Sequence, residues 1–226
     1  MDIEKILNQI LRKYSRGIED SGRIRAVLKA VEAGKATYAD TQKYAIEAGK
    51  ILTEALREYL PEALTDGRLY RAFADVLVKT PMERTAQDVA KVASAVQEGL
   101  NEAAGIGLKA IVPELNHDQI TGIITGIVNA DSYEGNAELF MDQVASFFEG
   151  YVDDFAFGNA EFQYEAGLSP TIERIADANC CKWCSGLAGV YNYADIRNNP
   201  NSPARLRHNN CHCQILFNPA GSKRRR

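Results

Sequence analysis

Apolar residues recur every three or four positions through most of residues 1–166, which is the spacing of helices with one buried face. The pattern predicts helices over residues 2–14, 37–60, 69–77, 89–103 and from about 136 toward 167. Pro61 is expected to end the second helix, and the third is expected to stop before Pro81. Gly167 is a predicted helix stop, with Pro170 just beyond it.

Residues 116–128 favour a further helix. Asn116 stands where an N-cap would, and Gln119 completes a signal that resembles a capping box. The apolar residues that follow have helical spacing. Many of them are β-branched, however, so a strand is an alternative for this segment.

The pattern changes after Pro170. Residues 171–176 alternate between apolar and polar, as a short strand does, and residues 214–217 predict a second strand. Between them, residues 196–208 hold three Asn and two Pro, which indicates a loop.

Composition and charge narrow the class of protein. Hydrophobic residues make up 46% of the 226 residues and charged residues 25%, which excludes a disordered or low-complexity chain. The net charge of -4 hides an asymmetry: from residue 171 onward nine bases face three acids, so this end carries +6 and the remainder -10. An acidic body and a basic end suggest two modules with different partners.

The order of apolar and charged residues also predicts where in the cell the protein is made. No apolar run approaches the length of a membrane span, so we expect no membrane partner. The N-terminal residues lack the basic-then-apolar order of a signal peptide, which predicts synthesis in a reducing cytoplasm.

All five cysteines lie in the C-terminal quarter. Cys181 and Cys184 form a C-x-x-C, and further along the chain His208, Cys211 and Cys213 form an H-x-x-C-x-C. Two ligand pairs around one loop are typical of a structural zinc site, since zinc prefers tetrahedral sulfur and nitrogen ligands. We expect four of these five residues to hold one Zn²⁺, with Cys180 as the spare cysteine.

Other interpretations of the cysteines stay open. Disulfides would form if the protein reaches an oxidising place, such as a virion outside the cell. Buried cysteines without a metal are a second alternative. A redox C-x-x-C is a third, although it would normally open a helix within a thioredoxin-like βαβ unit, and the expected repeat of such units is absent.

The predicted cluster is architectural rather than catalytic. A catalytic zinc keeps an open position, usually near a general base, but only Asp177 and Asp195 lie close to the ligands in sequence. His117 lies far away, beside a helix cap. The chain carries no P-loop, G-x-G-x-x-G or Ser-His-Asp series. We therefore expect no enzymatic activity and no small-molecule substrate.

The predicted fold is mainly α. It comprises an elongated helical body over residues 1–166 and a small α+β, zinc-knuckle-like module over residues 167–220, called here the C-terminal module. A basic tail over residues 221–226 follows. The metal is expected to contribute much of the module's folding free energy, since few large apolar side chains are available there.

The C-terminal module resembles that of tailed-phage minor head proteins, the Mu F-like head-morphogenesis family. The resemblance is confined to the chain from about residue 167 onward. It rests on four runs in order: Ser-Pro-Thr-Ile-Glu-Arg at 169–174, Cys181-x-x-Cys184, Leu-Ala-Gly-Val-Tyr at 187–191, and the closing His208-x-x-Cys211-x-Cys213. His212 departs from the family, which more often has Arg there, and it adds a further potential ligand.

The resemblance implies a structural virion protein, present in few copies inside the head near the portal. Its implied role is head assembly, with a part in DNA packaging or ejection. Its implied partners are the portal protein, inner capsid or scaffold proteins, and packaged double-stranded DNA. It would be made in the cytoplasm of the host bacterium. The alternatives are a zinc-dependent DNA-binding regulator or nuclease accessory protein, and an enzyme with an unrecognised active site.

The basic tail is a candidate DNA contact. Lys223, Arg224, Arg225 and Arg226 could bind phosphates without sequence preference. The chain offers no aromatic residues among them for base stacking. The alternative is a tail that only aids solubility.

Overall fold

The computed structural model describes residues 2–176, 180–206 and 213–220, and this part of the chain is mainly helical, as predicted. The longer helices are α1 (Ile3–Asp20), α2 (Gly22–Glu32), α3 (Tyr38–Tyr59), α4 (Arg71–Leu77), α5 (Lys79–Ala103), α6 (His117–Val128) and α7 (Ala137–Glu165). The remaining elements are β1 (Thr171–Ile175), α8 (Lys182–Gly186), β2 (Gly189–Asn192), α9 (Tyr193–Ile196) and β3 (Gln214–Asn218). Short 3-10 turns cover Leu60–Ala63 and Glu134–Asn136.

The first helix begins at a side-chain cap. Asp2 accepts a hydrogen bond from the Lys5 backbone N–H at 3.0 Å, which satisfies one of the free donors of the first turn. The predicted stripe is confirmed, and the helix continues to Asp20, beyond its predicted end at residue 14. Its buried residues are Ile6, Ile10 and Tyr14.

The helix ends predicted before Pro61 and Pro81 are both present, but the next helix, α5, begins at Lys79 rather than at the predicted residue 89. Helix α3 ends at Tyr59, and Pro61 lies in the 3-10 turn that follows. Helix α4 stops at Leu77, before Pro81. Pro81 itself lies in the first turn of α5, where a missing N–H costs no intrahelical hydrogen bond.

Residues 117–128 are helical, so the strand alternative is wrong. Asn116 accepts a hydrogen bond from the Gln119 backbone N–H at 2.9 Å, which confirms the predicted cap. The helix buries Ile120, Ile123, Ile124 and Ile127 on one face. Burial of that face outweighs the modest helix penalty of β-branched side chains.

Helix α7 carries the longest predicted apolar face. Its residues Phe140, Val144, Phe147, Tyr151 and Phe155 are all buried. Gly167 then takes a left-handed conformation (φ +81°), and the backbone N–H of Gly167 and of Leu168 donates to the carbonyls of Tyr164 and Gln163. This is a glycine-terminated helix end, as predicted.

Residue contacts divide the chain into two compact units. Unit 1 comprises Met1–Ala26, Lys43–Val89 and Glu114–Tyr151, and unit 2 comprises Val27–Gln42, Ala90–Pro113 and Val152–Arg226. Unit 2 thus holds the C-terminal module together with helical residues from three parts of the chain. The boundary predicted between residues 166 and 167 stays a prediction.

Unit 1 contains a close approach of α3 and α7. A Cβ atom added at Gly49 would lie 3.1 Å from the carbonyl oxygen of Ala145 and 3.1 Å from the ring of Phe148. Only glycine therefore lets the two backbones come this close without displacement.

Unit 2 contains a chain of buried amide hydrogen bonds. Tyr38 donates to Gln97, and both Gln97 and Gln163 donate to Asn101, at distances of 2.7–2.8 Å. Asn101 in turn donates to the Leu108 carbonyl at 2.7 Å. The network joins α3, α5 and α7 and satisfies polar groups that would otherwise be costly to bury.

A second amide fixes the segment after α5. The side chain of Asn159 accepts from the Ile111 backbone N–H at 2.8 Å and donates to the Ile111 carbonyl at 2.9 Å. Asn159 thus supplies the pair of hydrogen bonds that a neighbouring strand would otherwise make. Within the described part of the chain, no helix combines the length and the apolar character needed to cross a bilayer.

Candidate metal centre in the C-terminal module

The C-terminal module is built on a three-stranded antiparallel sheet with the order β2-β1-β3. Both strands predicted from the sequence are confirmed, and β2 is an additional one. Ile172 of the central strand pairs with Tyr191 on one side and Phe217 on the other, and Arg174 pairs with Gly189 and Ile215. Successive side chains alternate between the two faces, so Ile172 and Arg174 share one face.

That face is the buried one. Ile172, Ile215 and Phe217 are almost fully buried, and Arg174 is only 1% exposed. A buried guanidinium on a strand of a small module is unusual, because a charge leaves water only where hydrogen bonds or opposite charge replace it. The residues around Arg174 must therefore supply those hydrogen bonds or that charge.

The C-x-x-C is formed at the start of α8. Cys181 precedes the helix and is exposed, whereas Cys184 lies within it and is 1% exposed. The Ser185 backbone N–H donates to the Cys181 carbonyl at 3.1 Å, which closes the turn. Cys213 immediately precedes β3 and is also buried, while Cys180 is partly exposed.

The other predicted ligands, His208 and Cys211, lie outside the described residues, as do Asp177 and His212. Within residues 2–176, 180–206 and 213–220, no three Cys, His, Asp or Glu side chains form a group that could hold a metal ion. The zinc site and the disulfide alternative both stay predictions. The candidate DNA contacts Lys223, Arg224, Arg225 and Arg226 also lie outside the described residues.

The described donors fit zinc in their chemistry. Cys184 and Cys213 offer two buried sulfur atoms, the ligand type that a borderline-soft ion accepts. Cys181 would add a third sulfur from the same C-x-x-C. The three described cysteines alone do not form a group that could hold a metal, so the predicted tetrahedral site depends on His208 or Cys211 as well.

Arg174 contacts both the C-x-x-C helix and the turn at residues 203–206. Its Nη2 lies 3.8 Å from the Cys184 Sγ, and its guanidinium lies over the ring of Trp183, 6.0 Å from the centroid. Its Nη1 donates to the Pro203 carbonyl at 3.0 Å and to the Leu206 carbonyl. One side chain thus contacts the C-x-x-C helix and the chain that leads to His208.

Arg174 belongs to the run 169–174 that carries the resemblance, but no structural role was predicted for it. The signal was present in the alternation of residues 171–176, which places position 174 on the same face as Ile172. A charged residue on the buried face of a predicted strand indicates a specific partner in the fold.

Ion pairs and stacking join the module to α7 within unit 2. Arg197 forms an ion pair with Glu161, and its guanidinium lies 4.5 Å from the Tyr164 ring centroid. The Arg197 hydrogen bond holds the pKa of Glu161 below its ordinary value, while burial raises the pKa of Tyr193 to about 12. Arg205 stacks 4.0 Å above the Phe157 ring.

His117 lies in unit 1, as the first residue of α6, and its Nδ1 is 3.3 Å from a Glu83 carboxylate oxygen.

Unit 1 also has a surface recess of about 400 Å³ between α1 and α3, lined in part by Lys13 and Glu58, which form an ion pair. The lining holds three basic and three acidic side chains, so the recess has no excess of either charge.

Comparisons with protein-family models, with curated proteins and with solved structures gave no match for this chain.

Proposed function

We propose that this chain is a minor capsid protein of a tailed phage that acts in head assembly near the portal. The role is structural and non-enzymatic. One observation carries the proposal: the ordered cysteine and histidine motif resembles that of minor head proteins, and its Cys184 and Cys213 are buried in one small sheet-and-helix module. Two buried cysteine sulfurs suit a structural metal.

The proposed partners follow from the charge of the two ends. The segment 1–170 carries -10 and would contact the portal, inner capsid or scaffold proteins. The segment 171–226 carries +6 and would meet packaged double-stranded DNA through its phosphates. In this role a structural Zn²⁺ stabilises the C-terminal module, and the protein resides inside the head.

The test uses a phage whose genome encodes the chain. Quantitative mass spectrometry of purified virions and empty heads should find the full chain in few copies per head. Deletion of its gene should abolish normal heads. Complementation with wild type or Cys180→Ser should restore them, whereas Cys184→Ser should not, because it removes a predicted zinc ligand.

A chain absent from virions and empty heads, with normal heads after deletion, would exclude the capsid role. Recovery of the chain on DNA in infected cells but not in heads would favour the regulator or nuclease accessory alternative.

A further inference from the structure

Two chain segments that the zinc prediction requires to meet are already bound to one side chain. Helix α8 carries Cys184 and Trp183, and the turn at residues 203–206 ends two residues before His208 in the sequence. Arg174 contacts Cys184 and Trp183 on one side and the carbonyls of Pro203 and Leu206 on the other. It lies on β1, the central strand of the sheet.

We propose that Arg174 is the positioning residue of the candidate metal centre, holding the C-x-x-C helix and the segment before His208 at a fixed separation. This inference rests on the proposed function for the zinc itself. The contacts of Arg174 do not require zinc, since its side chain touches Cys184, Trp183 and the two carbonyls directly.

Arginine suits this position better than any other residue. Its planar guanidinium presents five N–H donors in a rigid fork, so one group can serve two carbonyl oxygens and a sulfur at once. The carbonyls of Pro203 and Leu206 both accept from the same nitrogen, Nη1, which leaves Nη2 for the sulfur. Lysine would keep the positive charge but lose the planar set of N–H donors. Methionine would keep a similar length but lose both the charge and the donors.

The charge of Arg174 also matches the predicted ligands. A zinc ion bound by four of the predicted ligands would have a net charge of -1 with three thiolates and one histidine, or -2 with four thiolates, and a buried guanidinium beside Cys184 would offset one negative charge. Partners of this kind orient metal ligands from outside the coordination sphere, and their loss typically lowers metal affinity by about 10–100-fold. When bound, the zinc supplies only cross-linking of the two segments.

The test compares Arg174→Met and Arg174→Lys with wild type in the full chain. Arg197→Met is the matched control, since Arg197 belongs to the same module but contacts Glu161 and Tyr164. Zinc affinity is measured by competition with a chromophoric chelator. We expect Arg174→Met to lose about 10–100-fold in affinity, Arg174→Lys to lose less, and Arg197→Met to change little.

The order of the two variants separates positioning from packing. If Arg174 only filled space, the apolar methionine would be tolerated better than a buried lysine. A ranking with methionine equal to or better than lysine would therefore overturn the proposal.

A second measurement applies without metal. In the chelator-treated full chain, hydrogen exchange followed by mass spectrometry should be faster in Arg174→Met for peptides covering both 182–187 and 202–206. Exchange equal to that of Arg197→Met in both segments would overturn the proposal. If wild type holds no zinc, the metal part of the proposed function fails, and this comparison alone decides the role of Arg174.

Discussion

The rings of Tyr38 and Phe217 meet edge to face, with centroids 5.9 Å apart and an angle of 63° between their planes. Tyr38 is the first residue of α3, Phe217 lies on β3, and both are buried in unit 2. Aromatic pairs in this geometry stabilise the fold by more than their buried apolar area alone would give. The contact joins the C-terminal module to a helix near the start of the chain.

Phe217→Ala should therefore lower the free energy of unfolding by about 3–5 kcal/mol, through lost burial and the cavity left behind. Urea unfolding followed by circular dichroism measures the change. The control is Leu139→Ala on α7, where the side chain is 61% exposed and the expected change is within about 0.5 kcal/mol. Equal effects of the two substitutions would contradict the buried position of Phe217.

Asn101→Ala should destabilise unit 2 strongly. The Asn101 side-chain oxygen accepts hydrogen bonds from the amides of both Gln97 and Gln163. The substitution removes this acceptor, so both buried amides lose a hydrogen bond. Each of these two groups costs about 1–3 kcal/mol, so we expect a loss of about 2–6 kcal/mol in the free energy of unfolding, measured by urea unfolding. Asn8→Ala on the exposed side of α1 is the control, and a similar loss there would argue against the network.

Zinc content should follow the buried cysteines. The purified full chain should hold about one Zn²⁺ by elemental analysis, as one tetrahedral site requires. Cys184→Ser should lower this content sharply, whereas Cys180→Ser should leave it unchanged. A folded wild-type chain without zinc would disprove the metal assignment and favour disulfides or unmetallated cysteines.

Acid should weaken the link between Glu161 and Arg197. The hydrogen bond from Arg197 holds the pKa of Glu161 below the ordinary 4.5, so the folded state favours the ionised form. The resulting stabilisation is fully present above pH 4.5 and is lost as the pH falls through the lower folded pKa.

Glu161→Gln should thus be less stable than wild type at pH 7, and the difference should shrink toward pH 3. Urea unfolding at several pH values measures it, with Glu165→Gln at the exposed end of α7 as the control. A difference that stays constant over this range would show that the ion pair is not the cause.

The basic tail should bind DNA in a salt-dependent manner. Replacement of Lys223, Arg224, Arg225 and Arg226 by glutamine should reduce the slope of log affinity against log salt by about 3–4, given roughly 0.9 per phosphate contact on B-DNA. Fluorescence anisotropy with a duplex of random sequence measures the slope. An unchanged slope would leave the tail with a solubilising role alone.

The sequence predicted the helices well where one face was uniformly apolar. The stripe of α7 and the cap at Asn116 are local signals, because each depends on residues within a few turns of one another. The end of α7 was predictable for the same reason, since Gly167 supplies a backbone conformation that other residues adopt at a cost.

The buried amides could not be predicted in the same way. Gln97, Asn101 and Gln163 look like solvent-facing positions when only their polarity is considered. Their burial follows from partners on three different helices, which no local pattern contains. Arg174 is similar, since its partners at residues 184, 203 and 206 lie 10, 29 and 32 residues away in the sequence.

The assembly of unit 2 from three separate stretches of chain has a kinetic consequence. Loop closure precedes the contacts that reward it, so a unit rich in long-range pairing folds more slowly than a bundle of adjacent helices. On the ribosome, the stretch Val27–Gln42 emerges long before β3, which covers Tyr38. During synthesis this stretch therefore lacks its final neighbours, and we expect unit 2 to complete its fold only after residues 213–218 have been made.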